Sequence, residues 1–144
     1  MKTYLVTGAA GFIGSNFVKY LLKKYGKDIQ IIIVDALTYA GNLASIKDEI
    51  ELDNVSFVKS DIADYETIKS VFTNNDIDYV VNFAAESHVD RSITNPKLFL
   101  ETNIIGTQNM LQCAREAWYV GKDEMGSPIY KDGVKYLQIS TDEV

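Results

Sequence analysis

The most restrictive feature of this sequence is the run Ile31-Ile32-Ile33-Val34, in which every residue is apolar. A strand with one face in water alternates apolar and polar residues, whereas a strand covered on both faces reads as a continuous apolar run. We therefore predict that this run is a central strand of a parallel sheet and that helices cover both faces of that sheet.

Similar short runs recur along the chain, and a helix-like stretch separates each run from the next. The predicted strands are Tyr4 to Thr7, Ile29 to Val34, Val55 to Val58, Tyr79 to Phe83 and Tyr136 to Ile139. Strands that alternate with helices form βαβ units and a parallel sheet. The 144 residues suffice for one core. We therefore predict one α/β domain over residues 1–144, a doubly wound, Rossmann-like parallel sheet with strand order 3-2-1-4-5.

The helical stretches carry recognisable start signals. Asp64 is predicted to cap one helix, and Asn95 before Pro96 is predicted to start another that runs to Trp118. The residues Val120 to Gly133 are polar and glycine-rich and predict a surface loop with room for a short hairpin. The helix from Pro96 has two apolar stripes, one expected to cover the sheet and one free for a neighbour. They are Phe99, Ile105 or Gly106, Met110, Cys113 and Ala117, and Leu100, Ile104, Leu111 and Trp118.

Charge and composition exclude several classes of partner. The chain has 14 Lys and Arg against 20 Asp and Glu, a net charge of -6, and no basic run that would neutralise a nucleic-acid backbone. No apolar run reaches the roughly 18 residues needed to span a bilayer. Cys113 is the only cysteine, so an intrachain disulfide is impossible. We expect a cytoplasmic protein without nucleic-acid or membrane partners.

Three glycines lie between the first predicted strand and an amphipathic helix. Gly8, Gly11 and Gly14 are spaced G-x-x-G-x-x-G. Glycines at this place let the backbone turn tightly and approach a pyrophosphate, whose charge is met by the N–H groups at the start of the helix. Glycines also mark ordinary turns, so the loop alone leaves both interpretations open.

Asp35 favours the nucleotide interpretation. It ends the second predicted strand, 21 residues after Gly14, where a carboxylate can accept hydrogen bonds from the ribose hydroxyls of adenosine. A strand-terminal aspartate that caps a turn is the alternative. Together with the glycine loop, Asp35 predicts a bound dinucleotide, and its charge would repel a 2′-phosphate, so NAD is favoured over NADP. Asp61 and Ile62 follow the third strand and are expected to bound the adenine, with turn formation as the alternative for Asp61.

The predicted strand order also places the exit of the fourth strand at the cofactor. In a 3-2-1-4-5 sheet the crevice opens between the carboxyl ends of strands 1 and 4. Ala84 and Ala85 are small enough there for a ligand to approach closely, and a dense set of polar residues follows them. His88 is the only histidine of the chain. We assign it no catalytic role, because a single loop histidine is more often a hydrogen-bonding or packing residue.

Three further segments carry a family resemblance. With the glycine loop, the segments Asp35 to Asn42, Ala84 to Ser92 and Ser140 to Val144 make the chain resemble the dTDP-glucose 4,6-dehydratases, a family of extended short-chain dehydrogenases/reductases. The resemblance implies a nucleotide-sugar substrate and a tightly held NAD that oxidises the sugar at C4. Water is then eliminated across C5 and C6, and the hydride returns to C6, giving a 4-keto-6-deoxy sugar.

The resemblance also implies roles for individual residues. Asp142 is similar to the acid that protonates the leaving C6 hydroxyl, Glu143 to the base that removes the C5 proton, and Thr141 to the residue that hydrogen-bonds the C4 oxygen. Ser87 is expected to contact both cofactor and substrate, and no metal is implied. The implied cofactor contacts besides the glycines are Phe12, Ile13, Asp35, Ala36, Leu37, Thr38, Asp61, Ile62, Phe83, Ala84, Ala85, Glu86, Ser87 and Thr102.

The tyrosine base of this superfamily belongs to a Tyr-x-x-x-Lys pair. Tyr20 with Lys24 and Tyr65 with Lys69 match that spacing, but both pairs fall on helices that are predicted to lie away from the site. In the family the pair follows the Thr-Asp-Glu segment. We therefore expect the chain to be the N-terminal NAD-binding part of the enzyme, without its C-terminal substrate-binding lobe and inactive by itself.

Two further expectations concern assembly and rival functions. The second stripe of the long helix, which includes Leu111, is expected to join a homodimer interface in the full-length protein. The last predicted strand would be an uncovered edge, which favours association. Another nucleotide-sugar epimerase or dehydratase, and a non-catalytic NAD-binding module, are the alternative functions. The pair Asp142 and Glu143 argues against an epimerase, which eliminates no water.

Overall fold

A five-stranded parallel sheet runs through the computed structural model of the chain, which describes residues 1–38, 41–87 and 89–140. The strands are β1 (Lys2–Thr7), β2 (Ile29–Asp35), β3 (Val55–Lys59), β4 (Tyr79–Asn82), β5 (Tyr119–Lys122), β6 (Pro128–Tyr130) and β7 (Lys135–Gln138). The sheet order is β3-β2-β1-β4-β7. Because β5 and β6 form a separate antiparallel hairpin within the predicted loop, β7 is the fifth predicted strand, and the predicted order is confirmed.

The helices are α1 (Phe12–Tyr25), α2 (Tyr65–Asn74), α3 (Val89–Thr94), α4 (Pro96–Phe99) and α5 (Thr107–Trp118). Both predicted caps are confirmed: Asp64 accepts a hydrogen bond from the Thr67 amide at 3.3 Å, and Asn95 accepts one from the Leu98 amide at 3.4 Å. The predicted helix from Pro96 to Trp118 is not uniform, since Leu100–Gly106 between α4 and α5 is π-helical. None of the described helices has the length and apolar character to cross a membrane.

Strand β2 is covered on both faces, as its apolar run predicts. Ile32 and Val34 pack on the side of α2 and α5, whereas Ile31 and Ile33 pack on the side of α1. All four are at most 2% exposed. Fully burying one such side chain contributes about 1.5–3 kcal/mol. This strand is therefore the centre of two cores, one on each face of the sheet.

The last turn of α5 corrects the predicted stripes. Trp118, expected on the outward stripe, is buried, and its indole N–H donates a 2.7 Å hydrogen bond to the Ile77 carbonyl. Ala117, expected to face the sheet, is exposed. The large indole continues the buried row of Cys113 and Ala114, and its polar atom finds a partner in the chain before β4. Burial raises the pKa of the Cys113 thiol to about 11.

Asp78 connects the amino-terminal ends of the strands through hydrogen bonds and ion pairs. Its carboxylate accepts hydrogen bonds from the Thr3 amide at 3.0 Å and from Lys2 Nζ at 3.1 Å, and Lys131 Nζ of the hairpin lies 3.7 Å away. Burial raises the pKa of Asp78, but the Thr3 N–H together with Lys2 and Lys131 outweighs burial, so the pKa lies below its usual value.

The lowered pKa of Asp78 predicts acid sensitivity. A carboxyl whose pKa is lower in the folded than in the unfolded state contributes stability at neutral pH, and that contribution is lost as the pH falls through the folded pKa. We expect Asp78→Asn to lower the free energy of unfolding at pH 7 by about 1–3 kcal/mol and to flatten its decline below pH ~4. Urea unfolding across pH measures both.

Asp76→Asn is the matched control for Asp78→Asn. Asp76 pairs with Lys131 at 2.7 Å, but its side chain is 88% exposed, and exposed pairs contribute little. Identical pH profiles for Asp78→Asn and the unaltered protein would show that Asp78 does not carry the acid sensitivity.

Candidate functional site

The glycine loop connects β1 directly to α1. The Gly8 amide donates to the Val34 carbonyl at 2.9 Å, and the Gly11 amide donates to the Gly8 carbonyl at 3.2 Å, so the loop folds back against the end of β2. Gly11 is the N-cap residue of the 14-residue helix α1, and no side chain caps it. The first backbone N–H groups of a helix lack intrahelical partners and attract anions.

Two of the three glycines are required by the close approach of backbone segments. A Cβ atom on Gly14 would lie 2.3 Å from the Gly8 carbonyl oxygen. A Cβ atom on Gly8 would lie 2.7 Å from the Ala84 amide nitrogen, and Gly8 also has a φ of +66°. The start of α1, the loop and the exit of β4 are therefore in close contact, and this packing leaves no room for a side chain at these two positions.

Asp35 lies buried at the carboxyl end of β2 and is 8% exposed. Its Oδ2 accepts a hydrogen bond from the Ala10 amide at 2.9 Å, and its Oδ1 accepts one from the Leu37 amide at 2.7 Å. The predicted alternative, a carboxylate that caps a turn, is therefore realised. Each carboxylate oxygen has further lone-pair capacity, so these bonds leave room for ribose hydroxyls.

A cleft opens at the carboxyl ends of β1, β2 and β4, where a doubly wound sheet places its ligand. Many predicted contacts line it: Gly8, Gly11, Asp35, Ala36, Thr38, Asp61, Ile62, Phe83, Ala84, Ala85, Glu86 and Thr102. Val34, Gly41 and Ser60 line it as well and were not predicted. Asp61 also forms a turn, since its carboxylate accepts a 2.9 Å hydrogen bond from the Ala63 amide.

The remaining predicted contacts lie around this cleft rather than in its lining, namely Phe12, Ile13, Gly14, Leu37 and Ser87. Phe12 is 86% exposed and Ile13 is 64% exposed, both in the first turn of α1. Val34 and Ser60 each adjoin a predicted contact, and Gly41 lies in the segment from Asp35 to Asn42 that carries the family resemblance; these were the only sequence signals for the three residues. The role of the predicted residues as cofactor contacts stays a prediction.

The exit of β4 is held by a residue that the sequence did not suggest. The Glu86 amide donates to Asn103 Oδ1, and Asn103 Nδ2 donates to the Glu86 carbonyl, each at 2.8 Å. Asn103 lies in the π-helical segment before α5. A lone asparagine in a helical pattern predicts no such pairing, and the helix was predicted to be α-helical throughout. The paired backbone holds Glu86 against the cleft.

A chain of polar contacts joins the carboxyl ends of β1, β4 and β7. The Thr7 hydroxyl donates to Asn82 Oδ1, and Asn82 Nδ2 donates to Gln138 Oε1 at 2.9 Å. The Ile139 amide donates to the Asn82 carbonyl at 3.1 Å, which keeps the two strand exits side by side. Burial raises the pKa of Tyr136 to about 12, so this tyrosine keeps its proton at neutral pH.

Several predicted residues cannot be placed. Thr141, Asp142 and Glu143 lie outside the described residues, and so does His88. Of the two Tyr-x-x-x-Lys matches, Tyr20 with Lys24 lies on α1 and Tyr65 with Lys69 lies on α2. Neither pair lines the cleft. In both pairs the lysine Nζ lies 5.7 Å from the centroid of the tyrosine ring.

Comparison with known proteins assigns the family. The family model described as GDP-mannose 4,6 dehydratase matches residues 5–144. The chain belongs to this family. A relative, the dTDP-glucose 4,6-dehydratase of Xanthomonas campestris pv. campestris (strain B100), is 44% identical over the whole chain. The chain spans 39% of the length of that relative.

Solved structures of the dehydratase family show the same fold. The chain matches dTDP-glucose 4,6-dehydratase of Bacillus anthracis str. Ames in complex with NAD at a TM-score of 0.78 and 38% identity, covering 100% of this chain and 39% of that chain. It matches the enzyme of Streptomyces venezuelae with NAD and TYD bound at 0.73 and 46%, covering 80% and 36%. The family resemblance and the doubly wound fold predicted from the sequence are confirmed.

The contact between Asn103 and Glu86 predicts a stability effect. Asn103→Ala removes both hydrogen bonds and leaves a part-buried N–H and C=O without partners. We expect the free energy of unfolding to fall by about 1–3 kcal/mol, measured by urea unfolding. Asn103→Asp keeps the acceptor and loses the donor, so its effect should be intermediate. Gln108→Ala, an exposed amide on α5, is the control, and an equal loss in both alanine variants would contradict this role of Asn103.

Proposed function

We propose that the chain is the NAD-binding part of a dTDP-glucose 4,6-dehydratase, a lyase that eliminates water from a nucleotide sugar by transient oxidation at C4. The observation that supports this proposal most strongly is the cleft at the end of β1. The loop from Gly8 to Gly14 lies on one side of this cleft, and Asp35 lies on another. The chain spans 39% of the relatives' length, so the substrate-binding lobe and the tyrosine base are proposed to lie on further residues.

The residues of the cleft fit a dinucleotide. Gly8 and Gly14 let the loop pack closely against the exit of β4 and the start of α1, and the N-terminus of α1, which attracts anions, begins at that point. Glu86 is 6% exposed, and its Oε2 is the one buried side-chain oxygen without a hydrogen-bond partner among the described residues. A buried acceptor is costly unless a donor reaches it. The hydroxyl and amide groups of NAD are donors of the required kind.

The charge of the cleft favours NAD over NADP. Asp35 keeps lone pairs for the 2′- and 3′-hydroxyls of the adenosine ribose, and a 2′-phosphate would meet its negative charge. Ala36, Leu37 and Thr38 follow it, none of which is a cation. When bound, NAD supplies a hydride acceptor for the C4 oxidation and returns the hydride later.

The elimination is assigned to Asp142 and Glu143, which follow β7. Strand β7 leaves the sheet beside β4, at the carboxyl edge that carries the cleft. Loss of water needs a carboxylate that takes the C5 proton and a carboxylic acid that protonates the departing C6 hydroxyl. We propose Glu143 as that base, Asp142 as that acid, and Thr141 as a donor to the C4 oxygen. Ser87 at the exit of β4 is proposed to contact substrate as well.

We also propose that the full-length protein is a cytoplasmic homodimer. Leu100, Ile104 and Leu111 are 55%, 58% and 48% exposed along the helix from α4 to α5. Such a row of apolar side chains is typical of a surface that another helix covers. We propose a cytoplasmic location because the single cysteine, Cys113, is buried and a disulfide within the chain is impossible.

Binding of NAD is the direct test of the proposed cofactor. Isothermal titration calorimetry should show that the purified protein binds NAD more tightly than NADP. Gly14→Ala should weaken NAD binding by at least about tenfold, or ~1.4 kcal/mol, because the new methyl group collides with the loop backbone. Lys19→Ala, on the exposed face of α1, is the control. Unchanged NAD affinity in Gly14→Ala would argue against the loop as the pyrophosphate site.

The acid and base roles are tested in the longer protein. Asp142→Asn and Glu143→Gln should slow formation of the 4-keto product by about 10²–10⁴-fold, while NADH from the first step still forms. The 144-residue chain alone should form no 4-keto product. Product from the isolated chain, or normal turnover by both variants, would contradict the proposal. NAD binding without any turnover in the longer protein would support a non-catalytic module.

The dimer is tested by a charge on the exposed row. Leu111→Glu should convert the full-length dimer to monomers in sedimentation velocity experiments, because a carboxylate would be buried without a partner. Met125→Glu introduces the same charge at a hairpin residue that is 92% exposed, and it should leave the dimer intact. A dimer that survives Leu111→Glu would place the interface elsewhere.

A further inference from the structure

The glycine loop is hydrogen-bonded to the end of β2 and to the segment after it through both backbone groups of a single residue, Ala10. The Ala10 amide donates to Asp35 Oδ2 at 2.9 Å, and the Ala10 carbonyl accepts a hydrogen bond from the Asn42 amide at 3.1 Å. Ala10 is 1% exposed and Asp35 is 8% exposed, so water does not readily replace these partners. The loop between Gly8 and Gly11 is thus held from the side on which Asp35 lies.

These two hydrogen bonds of Ala10 matter because a glycine-rich loop has little conformational preference of its own. Each glycine loses more conformational freedom on ordering than any other residue. A loop that must present several N–H groups to one pyrophosphate gains affinity when it is ordered before the ligand arrives. Asp35 is the only side chain among the described residues that accepts a hydrogen bond from the amides of Gly8 to Gly11.

Gly41 leaves the space that the Asp35 carboxylate occupies. A Cβ atom on Gly41 would lie 2.9 Å from Asp35 Oδ1 and 3.2 Å from the Leu37 Cα atom. Gly41 has no positive φ, so the glycine is required for room rather than for its backbone conformation. Asp35 Oδ1 cannot withdraw freely, because it accepts the 2.7 Å hydrogen bond from the Leu37 amide.

We propose that Asp35 is a positioning residue for the pyrophosphate-binding loop, acting through the Ala10 amide, and that Gly41 is required to leave its carboxylate in place. This role comes in addition to the contact with the adenosine ribose and rests on the proposed binding of NAD. It follows that replacing Asp35 to admit a 2′-phosphate also loosens the loop that must hold the pyrophosphate. A substitution at position 41 keeps the charge of Asp35 but displaces its carboxylate, so it disturbs that loop as well as the ribose contact.

Nucleotides with and without ribose hydroxyls separate the two roles of Asp35. ADP and 2′,3′-dideoxy-ADP are titrated into the purified protein and into Asp35→Ala. If Asp35 acted on the ribose alone, Asp35→Ala would leave the affinity for dideoxy-ADP unchanged. We expect instead that Asp35→Ala weakens dideoxy-ADP at least fivefold. Unchanged affinity for dideoxy-ADP, with ADP weakened, would overturn the proposal.

Gly41→Ala tests the same contact with the Asp35 side chain retained. It should weaken dideoxy-ADP as well as ADP, because the displaced carboxylate releases the Ala10 amide whether or not the ribose has hydroxyls. Leu43→Ala, at a residue of the same segment that is 39% exposed, should leave both affinities unchanged. Equal affinities in Gly41→Ala and the unaltered protein would contradict the role of Gly41.

Hydrogen exchange of the Ala10 amide gives a readout that needs no ligand. We expect this amide to be protected in the unaltered protein and to exchange at least tenfold faster in Asp35→Ala and Gly41→Ala, while amides of β2 keep their protection. If the unaltered protein binds no nucleotide, the proposed function fails, and the exchange of Ala10 then decides the positioning role by itself. Equal exchange in all three proteins would overturn it.

Discussion

Burial of β2 on both faces is the constraint on which the rest of the structure depends. Because Ile31 to Val34 are all apolar, neither face of this strand can meet water, and helices must cover both. Parallel neighbours on both sides, β1 and β3, then point their carboxyl ends to one edge of the sheet. That edge is where β1 turns into the glycine loop and where Asp35 ends β2.

Most of the buried polar groups at this edge are hydrogen-bonded to other groups of the protein. Asn82 is fully buried and bridges Thr7 on β1 to Gln138 on β7. Asp35 accepts two backbone amides, and Asn103 pairs with both backbone groups of Glu86. Buried polar groups that are fully paired fix one arrangement of the chain. The hydrogen bonds thus hold the strand exits and loops around the cleft in one arrangement, and Glu86 Oε2 is left without a hydrogen-bond partner among the described residues.

The parts of the fold that depend on the periodicity of apolar residues and on capping, glycine and proline signals were predictable from the sequence. The strand order, the caps at Asp64 and Asn95, the glycine loop and the position of Asp35 all follow from local patterns. The π-helical segment from Leu100 to Gly106 was not predictable, because π-helical turns are rare, short interruptions of α-helices and the apolar pattern of the surrounding helix predicts an α-helix throughout. The pairing of Asn103 with Glu86 depends on that segment and on contacts between residues distant in sequence. The burial of Trp118 was missed because its partner, the Ile77 carbonyl, is likewise tertiary.

We propose that the cleft at the carboxyl ends of β1, β2 and β4 binds NAD, and a crystal structure of the protein grown with saturating NAD would show this binding site. We expect a pyrophosphate against the backbone from Gly8 to Phe12, at the start of α1, with the adenosine ribose hydroxyls within hydrogen-bonding distance of Asp35. A dinucleotide bound elsewhere on the molecule, or an empty cleft at saturating NAD, would contradict it.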